Sequence, residues 1–218
     1  MKIAVLGTGT VGNTIGSKLI ELGHEVMMGS RTSANEKATA FVDKHNNTHA
    51  LAGTFAGAAA LGEIIFNCTL GMEAVNILKS AGEQNLKNKI LIDVTNALDF
   101  SMGMPPALSI CNDNSLGEEI QKNFPQIKVV KTLNTMWCGI MVNPAMINNA
   151  DHNVFMSGND EAAKSEVKVL LKSFGWLEKN IMDLGDITTA RGTEMLLPIW
   201  LRIFGSTKNG AFNFKIVS

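Results

Sequence analysis

Ile3-Ala4-Val5-Leu6-Gly7-Thr8-Gly9-Thr10-Val11-Gly12 is the stretch on which the fold turns. Its first four residues are a continuous apolar run, the pattern of a strand buried on both faces. Val11, Ile15, Leu19 and Leu22 then recur at helical spacing, so the spacing predicts a helix over Thr10–Leu22. Between strand and helix the glycines stand as G-x-G-x-x-G, and each has a mechanical duty there. Gly7 permits the tight turn, Gly9 lets backbone approach a pyrophosphate, and Gly12 lets the helix pack against the sheet. Phosphates would then meet the free N–H groups of Thr8, Gly9, Thr10 and Val11 at the helix N-terminus. A glycine-rich turn without a ligand is the bland alternative; the placement inside a βαβ unit argues against it.

Outward from this motif, short β-branched runs alternate with helical patterns. After Gly23, a plausible C-cap, Glu25–Met28 reads as a strand, Ala34–His45 as a helix and His49–Ala52 as a strand. Ile64–Asn67 and Ile90–Val94 read as buried strands on either side of a helix around residues 72–81. Ser115-x-x-Glu118 forms a capping box that opens a helix to Phe124. Val129–Thr132, Val154–Met156 and Ile181–Leu184 are further strands, with a helix over Glu161–Phe174. This alternation predicts an α/β fold, a Rossmann-type doubly wound, mainly parallel sheet. Thr188–Phe204 is helical and strongly apolar with Pro198 bending it, which adds a small C-terminal helical extension. The expected division is a nucleotide-binding part over 1–158 and a helical part over 159–218, packed as one unit. The loops Asp99–Cys111 and Gly205–Asn213 are rich in Gly, Pro, Ser and Asn and suited to moving over a site.

Composition narrows the function. The 218 residues carry a net charge of −1, with 45% hydrophobic and 18% charged side chains. That is a core-forming chain, without the basic excess expected of a nucleic-acid or anionic-membrane surface. Cys68, Cys111 and Cys138 fall in no ligand spacing, against a disulfide framework or a structural zinc, so no metal is expected. The apolar run after Lys2 is only four residues, too short for a signal peptide, and no stretch approaches the ~20 apolar residues of a membrane span. A cytoplasmic protein is the expectation. His24 reads as a turn residue; His45, His49 and His152 fall in polar stretches without partner spacing and receive no role.

The end of the second strand selects the dinucleotide. An NAD site needs an acid about 20 residues on, for the ribose 2′-OH. Here Gly29-Ser30-Arg31-Thr32 places Arg31 22 residues past Gly9, with no carboxylate. An arginine flanked by two hydroxyls suits a 2′-phosphate, so Ser30, Arg31 and Thr32 point to NADP(H). Open α/β sheets bind ligands at the carboxyl ends of their strands. That rule puts Thr69, Leu70, Asn96 and Ala97 along the ribose and nicotinamide, and Asn134, Thr135, Met136 and Trp137 beside the substrate. No His, Lys or Tyr stands out to move a proton, as alcohol or ketone dehydrogenases require. Hydride passing directly to another redox cofactor needs mainly the alignment of two rings.

The front motif, Gly29-Ser30-Arg31, Asn96-Ala97-Leu98-Asp99-Phe100, Lys131-Thr132-Leu133-Asn134-Thr135-Met136, Asp183-Leu184-Gly185-Asp186 and Arg191–Pro198 together resemble the family of F420-dependent NADP oxidoreductases. The resemblance spans essentially the whole chain, and the family is similar in turn to the cytoplasmic reductase domain of six-transmembrane ferric reductases. It implies one Rossmann domain with a small helical part, a homodimer, and NADP(H) at the glycine loop. It also implies a deazaflavin near the loop after the sixth strand and near residues 210–214, with Phe212 as the ring contact. Founding members carry a histidine and a proline in that loop, where this chain has Asn134 and Trp137. The implied function is hydride transfer between NADP(H) and a small redox acceptor, an F420-like deazaflavin or a flavin. A non-catalytic NADP(H)-sensing module is the alternative. A hydroxyacid or imine dehydrogenase is disfavoured, because those enzymes append a helical domain of order a hundred residues.

Overall fold

The computed structural model describes residues 1–46 and 48–217. In chain order the elements are β1 (Lys2–Leu6), α1 (Thr10–Glu21), β2 (Glu25–Ser30), α2 (Glu36–His45), β3 (Ala50–Thr54), α3 (Phe55–Leu61), β4 (Ile64–Asn67), α4 (Ala74–Ala81), α5 (Glu83–Leu86) and β5 (Ile90–Asp93). They continue with β6 (Leu98–Asp99), β7 (Ala107–Leu108), α6 (Leu116–Asn123), β8 (Lys128–Thr132), α7 (Cys138–Val142), β9 (Val154–Gly158), α8 (Glu161–Ser173), β10 (Ile181–Asp183), α9 (Ala190–Met195) and α10 (Leu197–Thr207).

Eight strands form one sheet in the order β10-β9-β8-β5-β4-β1-β2-β3. All neighbours are parallel except β8 and β9. The winding reverses between β1 and β4, so the crevice at their carboxyl ends is the topological switch point. Alternation along β1 feeds two cores. Ile3 and Val5 pack on the face of α1, α2 and α8, whereas Ala4 and Leu6 pack on the face of α3, α4 and α6.

Caps set the boundaries that periodicity leaves loose. Asn35 Oδ1 accepts from Ala38 N at 3.1 Å, so α2 starts at Glu36 rather than Ala34. β2 runs on to Ser30, because it pairs with β3 as far as Thr54. Thr54 Oγ1 then accepts from Gly57 N at 3.0 Å and starts α3, a helix of small residues that the apolar pattern does not announce. The capping box at Ser115 is half made. Ser115 Oγ accepts from Glu118 N at 3.1 Å, but Ser115 N donates to Asn114 Oδ1 and Glu118 pairs with Arg191.

The C-terminal part departs furthest from expectation. The expected single helix over Thr188–Phe204 is two, α9 and α10, meeting at Leu196, with Pro198 in the first turn of α10, where its missing N–H costs nothing. Residues 213–216 are pinned rather than free: Asn153 N donates to Phe214 O at 2.9 Å and Ile216 N to Asn153 Oδ1 at 2.7 Å. His152, which has no role in the sequence reading, is buried there, 2.9 Å from Pro144 O and 2.8 Å from Asn213 Nδ2, edge-on to Trp176. The loop Asp99–Cys111 carries the two-residue ladder of β6 and β7. Among the described residues no helix is long and apolar enough to cross a membrane.

Candidate functional site

At the switch point the glycine turn is dictated by close approach. Gly7 has φ +114°, and a Cβ there would lie 2.5 Å from Cys68 O. A Cβ on Gly12 would lie 2.1 Å from Gly7 O. At Gly9 a Cβ would meet no protein atom within 4 Å, and the space it points into is a cleft of about 510 Å³. No side chain caps α1, so its first N–H groups are left to whatever enters that cleft. Thr8, Thr10 and Val11 line the cleft beside Gly7 and Gly9, whereas Gly12 is buried and packs against Gly7.

Arg31 stands exposed at one end of the cleft and also lines a neighbouring hollow of about 300 Å³ with Thr54, Asn76 and Ser80. Thr32 is exposed beside it. Ser30 is buried and its hydroxyl donates to Thr32 O at 2.5 Å, which braces the turn that presents Arg31. Asn35, Phe55 and Ile77 also line the first cleft and escaped the sequence reading. The N-cap position of Asn35 and the cap at Thr54 are the signals that could have found this wall.

At the opposite end Thr69 and Leu70 are shared with a third cleft of about 470 Å³, flanked by Met72, Asn96, Leu98 and Phe100. A Cβ on Gly71 would lie 2.0 Å from Asn96 O, so the loops after β4 and β5 touch through backbone. Ala97 is fully buried and forms part of the core rather than a lining side chain. The charged side chains on this cleft are Glu73 and Asp99. Ser101 donates its N–H to Asp99, which holds that carboxyl below the usual range.

The residues expected beside the substrate separate into two groups. Asn134, Thr135 and Met136 are buried, and Asn134 Nδ2 is committed to Asn96 Oδ1 at 3.0 Å. Asn134 is therefore a strut between loops, not a free polar handle. Trp137 is 40% exposed. A Cβ on Gly210 would lie 3.4 Å from Trp137 Cβ and 3.7 Å from Trp200 Cζ2. Phe212 stacks on Trp200 with centroids 5.2 Å apart, and Trp200 Nε1 is buried without a hydrogen-bond partner. Trp137 and Phe212 thus join one aromatic surface through Gly210 and Trp200, which sequence reasoning placed only in an apolar run.

Beneath these loops lies an ionic cluster that the sequence reading did not assign. Lys131 Nζ is 2.8 Å from Asp93 Oδ2, 2.8 Å from Glu194 Oε1 and 2.6 Å from Thr95 O, with all three charged side chains buried. Burial alone would lower the Lys131 pKa; the two carboxylates outweigh it and hold it above the ordinary value. Asp93 Oδ1 also accepts from Asn67 Nδ2, whose Oδ1 accepts from Thr69 Oγ1, both at 2.8 Å. Cys68 is pushed far above the usual thiol range, by burial first and by the Asp93 charge second, and has no thiolate character.

A family model for NADP oxidoreductase, coenzyme F420-dependent, matches residues 2–97. A crystal structure from Arthrobacter sp. FB24, assigned as an F420-dependent NADP-reductase, is 51% identical over the whole of both chains with a TM-score of 0.94. Metalloreductase STEAP3 of Rattus norvegicus is 27% identical over 206 residues, 91% of this chain and 38% of that protein, so the chain spans under half the length of this relative. An imine reductase from Aspergillus terreus is 16% identical, covers 95% of this chain and 62% of its own, and shares the fold with a TM-score of 0.66. The chain belongs to the F420-dependent NADP oxidoreductase family.

Proposed function

We propose that this protein passes hydride between NADP(H) and a second redox ring, an F420-like deazaflavin or a flavin. The observation that carries the reading is the unbroken run of clefts from Arg31, over the open face of Gly9, to Thr69 and Leu70 and on to Phe100. In this reading Gly7, Thr8, Gly9, Thr10, Val11 and Gly12 form the pyrophosphate turn. Arg31, Ser30 and Thr32 form the 2′-phosphate end, and Thr69, Leu70, Asn96 and Ala97 the nicotinamide end. NADPH supplies a hydride at its nicotinamide C4 when bound. Arg31 pairs with the 2′-phosphate, which a neutral diol cannot reward equally. Leu70, Leu98 and Phe100 exclude water from the reacting face.

A ring acceptor takes its accompanying proton at nitrogen directly from water, so no proton-transfer side chain is required. Asp99, already ionised, is no donor at neutral pH. We infer that the acceptor ring lies against the Trp137–Trp200–Phe212 surface, so that residues 1–158 supply the nucleotide site and 159–217 complete the acceptor site. A second copy of the chain is inferred to cover Ile199 and Phe204, which α10 leaves exposed, and the setting is inferred to be cytoplasmic. Light scattering tests the dimer. A non-catalytic NADP(H) sensor would leave that face to a different partner. Stopped-flow oxidation of enzyme-bound NADPH against F420, FMN and riboflavin separates the two. Rapid oxidation by a ring acceptor supports the enzyme; tight NADPH binding without oxidation by any of them supports the sensor.

A further inference from the structure

We propose that Lys131 is a positioning residue: through Glu194 and Asp93 it registers the C-terminal, acceptor-side segment against the loops carrying Thr69 and Asn96. The inference rests on the proposed placement of the acceptor and adds a role that no cleft residue supplies. Lys131 is 1% exposed and touches no cleft, so it cannot act on a ligand directly.

What it can do follows from its three N–H donors, each of which has one partner. One goes to Asp93, its register partner on β5. Another goes to Thr95 O, one residue before Asn96. The remaining one goes to Glu194 of α9. From Asp93 the chain of bonds continues through Asn67 to Thr69, at the junction of the two large clefts. From Glu194 it continues to Leu116 N at 2.8 Å and Gly117 N at 3.0 Å, the first amides of α6. The loop after β4, the loop after β5, α6 and α9 therefore meet at one ammonium.

Stability alone does not call for this arrangement, since buried ion pairs are often replaceable by apolar residues of like volume without loss. Apolar packing, however, is non-directional. Three charge-assisted bonds from one nitrogen fix the Thr95 carbonyl and the Glu194 carboxylate in distance and angle. Hydride transfer depends steeply on the donor–acceptor approach, and a misplacement of about 1 Å costs on the order of a hundredfold. Directional registry is what such a reaction needs from residues that never touch it.

The test uses the neutral, near-isosteric triple variant Asp93→Asn/Lys131→Met/Glu194→Gln, with Glu194→Gln alone as a milder second variant. The adenine-side probe is 2′,5′-ADP, which cannot reach the nicotinamide end. Expected for the triple variant is a dissociation constant for 2′,5′-ADP within twofold of wild type, with single-turnover hydride transfer slowed at least tenfold. Glu194→Gln is expected to slow it about threefold or more. Variants that keep 2′,5′-ADP affinity and the wild-type hydride-transfer rate overturn the proposal. Should the wild type transfer no hydride to any ring, the proposed function fails separately, and registry is read from the fluorescence of bound NADPH. A nicotinamide emission shifted in the triple variant then supports registry, and an unchanged one overturns it.

Discussion

Asn96 and Asn134 hold each other across the carboxyl end of the sheet: Asn96 Nδ2 donates to Asn134 O at 2.9 Å, and Asn134 Nδ2 donates to Asn96 Oδ1 at 3.0 Å. The exchange locks the loop after β5 to the loop after β8. Each such bond contributes about 0.5–1.5 kcal/mol net, and a buried partner left unsatisfied costs more. Asn134→Ala is therefore expected to lower the unfolding free energy by about 1–3 kcal/mol in urea titration. Hydride transfer should slow with it, while 2′,5′-ADP affinity stays unchanged.

Two glycines of the motif, Gly9 and Gly12, give opposite expectations. Gly12→Ala forces a Cβ to 2.1 Å from Gly7 O, so both melting temperature and NADPH affinity should fall. Gly9 has φ −75° and an open side toward the cleft, so alanine fits the fold there without strain. Gly9→Ala should keep the melting temperature and weaken NADPH at least tenfold. Calorimetry and titration on the same two variants check this contrast.

The cofactor half of the site was legible because backbone geometry ties each of its residues to a place in the sequence. A φ of +114° at Gly7 and the near-contact at Gly12 leave glycine as the fitting residue, and the β2 end places Arg31 wherever the strand stops. The acceptor half was not legible to that degree. Glu194 meets Lys131 at a sequence separation of 63, and Asn96 meets Asn134 at one of 38, separations that no local pattern encodes. Helices α3 and α7 escaped for a related reason: five to seven residues are too few for a period of 3.6 to declare itself.

Lys131 gives a signed expectation for pH. Because its pKa is held above the ordinary value, its contribution to stability is fully present below about pH 10.4 and is lost as pH rises through the elevated folded value. Urea unfolding of the wild type should weaken as the pH is raised above about 10.4. The Asp93→Asn/Lys131→Met/Glu194→Gln variant should show a smaller decline over the same interval.

Arg31 carries the choice of dinucleotide. Loss of a charge-assisted bond costs about 1.5–3 kcal/mol, so Arg31→Ala should weaken NADPH by roughly 10- to 150-fold. NADH, without the 2′-phosphate, should change little. Equal weakening of both nucleotides would remove Arg31 from the site.

The central claim is direct hydride transfer from NADPH to a second ring, and isotope retention tests it most directly. In a 5-deazaflavin the receiving atom is carbon, so a hydride delivered there does not exchange with water. Single-turnover reduction of 5-deazariboflavin by the protein, with each C4-deuterated epimer of NADPH in turn, is read by mass spectrometry. One epimer should leave one deuterium in the reduced deazaflavin and the other none, with the accompanying proton taken from solvent. Reduction that leaves no deuterium with either epimer, or bound NADPH that is never oxidised, would contradict the account.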